Sequence, residues 1–344
     1  MCTDAAPAYN KDKEHSLELH REGRAKMKIR SVAVLGAGAV GAYILYGLSQ
    51  TKDVEFCVVA DGARKERLER DGILIDDKKA VRIFRPAVRT PQEARGADLL
   101  LVAVKYTALD AVLEDIRTIA APGTIVLSLL NGIDSEEKIG TVIDPSQIVY
   151  SLMRVSSERR TREDGRSVIT FDPTIKWGVY LGEKGTPVKS DRIRAIEELF
   201  EGTDCSVYFV EDIIQDQWAK YASNICYNLP QAVLDLPFGA YFDSEHVAFL
   251  RKKLFDEVYQ VGAAMGIEVL SPALAWDSCA KTARFSTLQD LDAGRHTEID
   301  MFAGVLMEKA RQAGVSVPYT EYTYHAIKAL EEKNDGKFTY QKEQ

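Results

Sequence analysis

The sequence predicts an α/β protein in which a doubly wound, largely parallel sheet is followed by an all-helical domain. The first half of the 344-residue chain alternates strand-like apolar runs with helical periods, as such a sheet requires. From about Glu211 the strand signals give way to long helical periods. We therefore expect a flexible extension over residues 1–26, a sheet domain over 27–210, a helical domain over 211–332 and a polar tail over 333–344.

The composition argues against several classes of protein. A formal net charge of −8 and a pI of about 5.4 argue against a nucleic acid or an anionic membrane as principal partner. No apolar run reaches the ~20 residues of a membrane span, and the N-terminus lacks the apolar region of a secretion signal. The five cysteines and five histidines show no metal-ligand spacing, so we predict no metal site. Reduced thiols in a cytoplasmic protein are the simplest interpretation.

A glycine-rich turn joins the first strand to the first helix. Gly36, Gly38 and Gly41 follow the strand-like run Ser31–Leu35 in G-x-G-x-x-G spacing, and an apolar helical run begins at once. The first glycine permits the turn, the second lets the backbone approach a pyrophosphate, and the third allows close packing of helix on strand. Unpaired N–H groups at the helix N-terminus then face the phosphates. We therefore predict a Rossmann-type dinucleotide site formed by Gly36, Ala37, Gly38, Ala39, Val40 and Gly41.

Polar residues follow each of the next strand-like runs. The run Val54–Ala60 ends at Asp61, 20 residues after Gly41, where Rossmann folds place the acid that binds the adenosine ribose. A continuous apolar strand from Ala97 stops at Lys105, a helical period follows over 106–119, and the strand after it ends in Asn131. Ligands of doubly wound sheets bind at the carboxyl ends of the strands. One cleft therefore takes in Gly36, Asp61, Lys105 and Asn131.

Between Ile148 and Tyr208 the chain is richer in strands and less regular. Short strands are predicted over 168–171, 178–181 and 206–209, with a hairpin or loop tip over 159–166 and a helix over 190–200.

The helical domain carries a polar stripe. Lys220, Asn224 and Asn228 stand at i, i+4 and i+8, and share one face of a helix. Such a stripe is usually solvated, but the surrounding tryptophan, tyrosines, isoleucine and cysteine indicate a buried helix. We therefore expect the stripe to face a polar cleft. Further along, Ser286 opens a helical stretch, and Glu298 is a first-turn acid that also suits a helix dipole.

These residues together resemble the ketopantoate reductase family. The resemblance covers residues 27 to about 318 and rests on the order and spacing of short motifs: GAGAVG at Gly36, VAVKYTA with Lys105, LLNGID with Asn131, QWAKYASNICYN with Lys220, FSTLQD with Ser286 and GRHTEID with Glu298. It implies reduction of 2-dehydropantoate to pantoate with a nicotinamide cofactor, on the route to pantothenate and coenzyme A.

The resemblance also implies a role for each matching residue. Lys220 is the proton donor to the ketone oxygen, and Glu298 acts with it at the junction of substrate and cofactor. The 2-keto acid is held by Asn131, Asn224, Asn228 and Ser286, while Lys105, Asn131 and Glu298 also contact the cofactor. The implied partner is a small 2-keto acid, and the protein is expected to be a monomer or a homodimer.

Two departures from the family pattern leave alternatives open. Many members carry a basic residue for the 2′-phosphate of NADPH where this chain has Asp61, which favours NADH unless Arg64 or Lys65 reaches over it. Phe238 stands where an additional substrate-binding asparagine is sometimes found, which suggests a more apolar pocket. The cofactor is therefore NADP or NAD. An NAD-dependent D-2-hydroxyacid dehydrogenase on the same scaffold is an alternative, as is a non-catalytic, redox-sensing nucleotide-binding protein.

Overall fold

The computed structural model describes residues 27–155, 157–162, 166–172, 178–272, 280–338 and 340. The predicted N-terminal extension therefore lies outside the described residues, as does the end of the predicted tail beyond residue 340. The predicted tail over 333–344 begins within a helix that runs to Asn334.

An eight-stranded sheet organises the first part of the chain. Its strands are β1 (Ser31–Leu35), β2 (Glu55–Val59), β5 (Ala87–Arg89), β6 (Leu99–Val102), β7 (Ile125–Ser128), β8 (Ile148–Met153), β11 (Gly178–Gly182) and β12 (Ser206–Phe209). They stand in the order β12-β11-β8-β7-β6-β1-β2-β5. The pairings from β5 through β2, β1, β6 and β7 to β8 are all parallel, whereas β11 runs antiparallel to β8.

A second, four-stranded sheet packs beside the first helix. Its order is β4-β3-β10-β9, formed by β3 (Ile73–Asp76), β4 (Val81–Phe84), β9 (Ser157–Thr161) and β10 (Ser167–Phe171). The antiparallel pairing of β9 with β10 agrees with the predicted hairpin, whose tip lies outside the described residues.

The helices of the sheet domain cover the large sheet. They are α1 (Ala39–Leu48), α2 (Gly62–Asp71), α3 (Leu113–Ile119), α4 (Ser135–Ile139) and α5 (Asp191–Phe200). Buried apolar residues lie on both faces of the sheet, as expected for parallel strands. The helix predicted over 106–119 was wrong in detail: its first half forms two short 3₁₀ turns, Tyr106–Ala108 and Asp110–Val112, and the α-helix α3 begins only at Leu113.

The rest of the described chain is helical. It comprises α6 (Ile213–Ser223), α7 (Leu229–Leu234), α8 (Ala240–Asp243), α9 (Glu245–Ala264), α10 (Ser286–Asp292), α11 (Val305–Ala313) and α12 (Pro318–Asn334), which enclose their own apolar core. A parallel-rich sheet with helices followed by a helical domain is the predicted fold class, and this prediction is confirmed. No helix in the described ranges is long and apolar enough to cross a membrane.

Candidate active site

The glycine turn is shaped for close approach of a ligand. Gly36 has φ +114°, and a Cβ there would stand 2.5 Å from the Ala103 carbonyl oxygen. A Cβ on Gly41 would stand 2.0 Å from the Gly36 carbonyl oxygen, so both positions require glycine for packing. Nothing lies within 4 Å of a Cβ built on Gly38, which precedes the first residue of α1. The open space at Gly38 and the N-terminus of a ten-residue helix fit a dinucleotide pyrophosphate.

Asp61 lies on the surface at the end of β2, next to the glycine turn in the sheet order. Lys65 is turned towards another acid, since its Nζ lies 2.9 Å from Glu93 Oε2. The pKa of Arg64 is lowered by partial burial and by the positive charges of Arg67 and Arg159, and Asp61 acts in the opposite direction. Arg64 is therefore within electrostatic range of two other guanidinium groups and of Asp61, whose charge also raises the pKa of Asp115.

Lys220 joins the two domains. Its Nζ donates to Asn131 Oδ1 over 2.8 Å and to the Met153 carbonyl oxygen over 2.5 Å. Asn131 follows β7 and Met153 ends β8, so the ammonium lies at the carboxyl edge of the sheet. Its pKa is lowered to about 8, chiefly by burial and next by the charge of Arg154, against which the charge of Glu298 acts. A lysine with this pKa holds a proton near neutrality and can release it.

A wide helical turn carries the two asparagines of the polar stripe. The α-helix expected through Lys220, Asn224 and Asn228 ends at Ser223, and residues Asn224–Asn228 form a π-turn before α7 begins. The assumption of one regular α-helix was therefore wrong. Asn228 Nδ2 lies 3.5 Å from Asn224 Oδ1 and 3.4 Å from Ser286 Oγ. The π-turn thus places two carboxamides and a hydroxyl together, and π-turns are frequent at functional sites.

Glu298 and Lys105 approach the same region from opposite domains. Glu298 Oε1 accepts a bond of 3.4 Å from the Tyr106 backbone N–H, one residue after Lys105. Lys105 is exposed, and its Nζ lies 3.7 Å from Asp290 Oδ2 across the cleft. Nowhere in the described ranges do three His, Cys, Asp or Glu side chains form a group that could hold a metal ion.

Two features near Lys220 were not recognised in the sequence. Arg154 follows directly after β8, which is parallel to β7, and the rule that ligands bind at strand ends would have identified it. The Met153 acceptor is a main-chain carbonyl, for which no side-chain pattern exists.

Phe238 does not support an apolar pocket. Its side chain is fully buried among Tyr227, Tyr241, Phe242 and Phe285, with ring centroids 5.2 to 6.4 Å apart. It belongs to the core of the helical domain, so the inference drawn from its position in the sequence was wrong.

Comparison with known proteins gives matches along most of the chain. The family model described as ketopantoate reductase PanE/ApbA matches residues 32–182, and that of its C-terminal domain matches residues 212–331. A 2-dehydropantoate 2-reductase of Nostoc is 27% identical over 323 residues, covering 90% of this chain and 97% of the relative.

Solved structures resemble the fold over a similar span. A PanE/ApbA family ketopantoate reductase from Ralstonia eutropha superposes with a TM-score of 0.74 at 23% identity, over 89% of this chain and 99% of that one. D-mandelate dehydrogenase with NADH and anilino(oxo)acetate gives a TM-score of 0.75 at 20% identity, with the same coverage.

Proposed function

The chain belongs to the ketopantoate reductase family, and we propose that it reduces the 2-keto group of 2-dehydropantoate to give pantoate. The observation that carries the proposal is Lys220, a partly buried ammonium at the sheet edge, with a pKa of about 8. The nearby carboxamides and hydroxyl of the helical domain form the place where a 2-keto acid would bind.

Reduction of a ketone places negative charge on its oxygen. When bound, the reduced nicotinamide supplies the hydride to the keto carbon. Lys220 stabilises the developing oxyanion by its charge and then donates its proton to that oxygen. The bonds to Asn131 and the Met153 carbonyl hold Nζ in place before the reaction, so little reorganisation is needed.

Glu298 acts as an orienting group for Lys220 in this proposal. Its negative charge raises the pKa of Lys220, so it favours the protonated donor and does not activate it as a stronger acid. Asn224, Asn228 and Ser286 bind the carboxylate and hydroxyl oxygens of the substrate without adding net charge. The cofactor is held by the turn from Gly36 to Gly41 together with Asp61, Lys105, Asn131 and Glu298.

Both nicotinamide cofactors are accepted in this proposal. Asp61 suits the two ribose hydroxyls of NADH and repels a 2′-phosphate. Arg64, with Arg67 and Arg159 close enough to lower its pKa, supplies the positive charge that a 2′-phosphate needs. Asp61→Asn should therefore increase kcat/KM for NADPH relative to NADH, and Arg64→Gln should decrease it.

A D-2-hydroxyacid dehydrogenase is the second candidate function, and the observation in its favour is Asp61. The third, a redox-sensing nucleotide-binding protein, is opposed by the assembled proton donor, for which a sensor has no use. Steady-state oxidation of NADH and NADPH with 2-dehydropantoate and a panel of other 2-keto acids distinguishes the three.

Each outcome of that assay selects one function. Turnover of 2-dehydropantoate that falls by at least two orders of magnitude in Lys220→Ala supports the reductase. Turnover only of other 2-keto acids with NADH supports the dehydrogenase. Cofactor binding without turnover on any acid, unaltered in Lys220→Ala, supports the sensor.

A further inference from the structure

A buried polar network lies one helical turn before Lys220 on α6. Gln217 is only 4% exposed, and its Nε2 donates to Glu136 Oε1 and to the Ser151 carbonyl oxygen, each over 2.8 Å. Both N–H groups of the amide are therefore used, and its orientation is determined. Gln217 connects the helical domain to α4 through Glu136 and to β8 through Ser151.

The Glu136 carboxyl is 3% exposed and is bound by neutral groups. Its Oε2 accepts from Ser135 Oγ over 2.8 Å, and its Oε1 receives the Gln217 amide and, at 3.5 Å, the Ser151 N–H. Burial raises its pKa. A buried carboxyl is costly even when hydrogen-bonded, so packing alone does not account for it here.

Gln217 and Lys220 attach α6 to the same strand. They stand three residues apart on one helix face, and they donate to the Ser151 and Met153 carbonyls, which lie two residues apart on β8. Alternate carbonyls of a strand point the same way. β8 pairs with β7 only as far as Val149. Beyond that point, the carbonyl oxygens of Ser151 and Met153 accept hydrogen bonds from side chains of α6. These two bonds fix the position of α6 along β8 and its rotation about its own axis.

We propose that Gln217 and Glu136 are positioning residues for Lys220. The Glu136 carboxyl orients the Gln217 amide, the amide fixes α6 to β8, and Lys220 Nζ is thereby kept on the Met153 carbonyl and Asn131. This inference rests on the proposed role of Lys220 as proton donor. Misplacement of a reacting group by about 1 Å can cost on the order of 100-fold in rate, so the network bears directly on turnover.

Three variants test the proposal. Gln217→Met keeps the length of the side chain and removes the amide, leaving Glu136 and the Ser151 carbonyl without their donor. Glu136→Gln keeps an acceptor for Gln217 and places an amide beside Ser135. Gln215→Met is the matched control on the same helix, since it removes a solvent-exposed bond to Glu268.

We expect Gln217→Met to lower kcat by on the order of tenfold or more, with NADH affinity by fluorescence titration within about twofold of the wild type. Glu136→Gln should retain most of the wild-type turnover, because it keeps an acceptor for the Gln217 amide, and Gln215→Met should leave kcat unchanged. Wild-type kcat in Gln217→Met would overturn the proposal. So would a loss of thermal stability in this variant without any change in kcat below its unfolding transition.

A second readout does not depend on turnover. The pH midpoint for acetylation of Lys220, followed by peptide mass spectrometry, should lie near 8 in the wild type and rise in Gln217→Met, because a displaced ammonium regains solvent. An inactive wild type would refute the proposed reaction, but the rise in midpoint would still support the positioning role. An unchanged midpoint would overturn it.

Discussion

Replacement of Lys220 by methionine should remove activity and should make the stability of the protein, relative to the wild type, fall as the pH rises above 7. The pKa of Lys220 is lowered from 10.5 to about 8, mainly because burial disfavours the charged form. The unfolded chain binds this proton more tightly than the folded chain, so the group destabilises the fold wherever the ammonium is charged. Met fills the same space and carries no charge.

The size of the effect depends on pH in a defined way. With 1.36 kcal/mol per pKa unit, the destabilisation by Lys220 is about 3 kcal/mol at pH 7 and about 1.4 kcal/mol at pH 9.5, and it vanishes above the unfolded pKa. The variant also leaves Asn131 Oδ1 and the Met153 carbonyl without their donor, which costs about 1–3 kcal/mol for each of the two acceptors at every pH. The two contributions are of similar size at pH 7 and oppose each other, so the change with pH is the diagnostic quantity.

The assay is denaturant unfolding of wild type and Lys220→Met at several pH values between 6.5 and 9.5. Subtracting the two free energies of unfolding cancels the titration of every other group. The free energy of unfolding of the variant should fall by about 2 kcal/mol relative to that of the wild type as pH rises from 7 to 9.5. Lys52→Met, at an exposed lysine, is the control and should show no such trend. A difference between wild type and Lys220→Met that does not change with pH would refute the lowered pKa.

Three further substitutions have effects of defined sign. Turnover should fall as pH rises through the pKa of Lys220. Arg154→Gln should move the midpoint of this fall to higher pH, by less than about one pH unit, since Arg154 is exposed and its charge is screened by salt. A move to lower pH would contradict the assignment. Glu298→Gln should move the same midpoint to lower pH, because it removes the charge that raises the pKa, and an unchanged pH profile would count against its place beside Lys220. Ser286→Ala should raise the substrate KM by about fivefold, the equivalent of one hydrogen bond, at unchanged NADH affinity, and a loss confined to NADH binding would remove Ser286 from the substrate pocket.

Local patterns were sufficient to predict the sheet, and ligand binding at its carboxyl edge stays a prediction. The glycine turn at Gly36 and the polar residues after β6 and β7 follow from strand and turn chemistry over a few residues. The grouping of Asn228 with Ser286 agrees with the expectation of one polar site, although the π-turn that carries Asn228 could not be read from a 3.6-residue period. Helical periodicity contains no signal for one extra residue in a turn.

Long-range pairings could not be predicted from the sequence. Lys65 bonds Glu93, which lies 28 residues away, and Lys105 pairs with Asp290 of the other domain. Phe238 packs against Phe242 of α8 and Phe285, the residue before α10, and this aromatic cluster forms only when the two helices meet in the fold. In each case the partner is set by tertiary packing, which spacing along the chain does not encode.

One of the two acceptors of Lys220 Nζ is the main-chain carbonyl oxygen of Met153, which a side-chain substitution does not remove. The main-chain oxygen at the end of β8 is present whichever residue stands at position 153, so a substitution that the buried site accommodates leaves the contact in place. The contact can be altered only by shifting the strand or the helix. The position of the Lys220 ammonium is therefore set in part by the main chain of β8. Exchange of Met153 for another apolar residue that fits its buried site should leave this contact in place, whereas exchange of Asn131 removes the other bond.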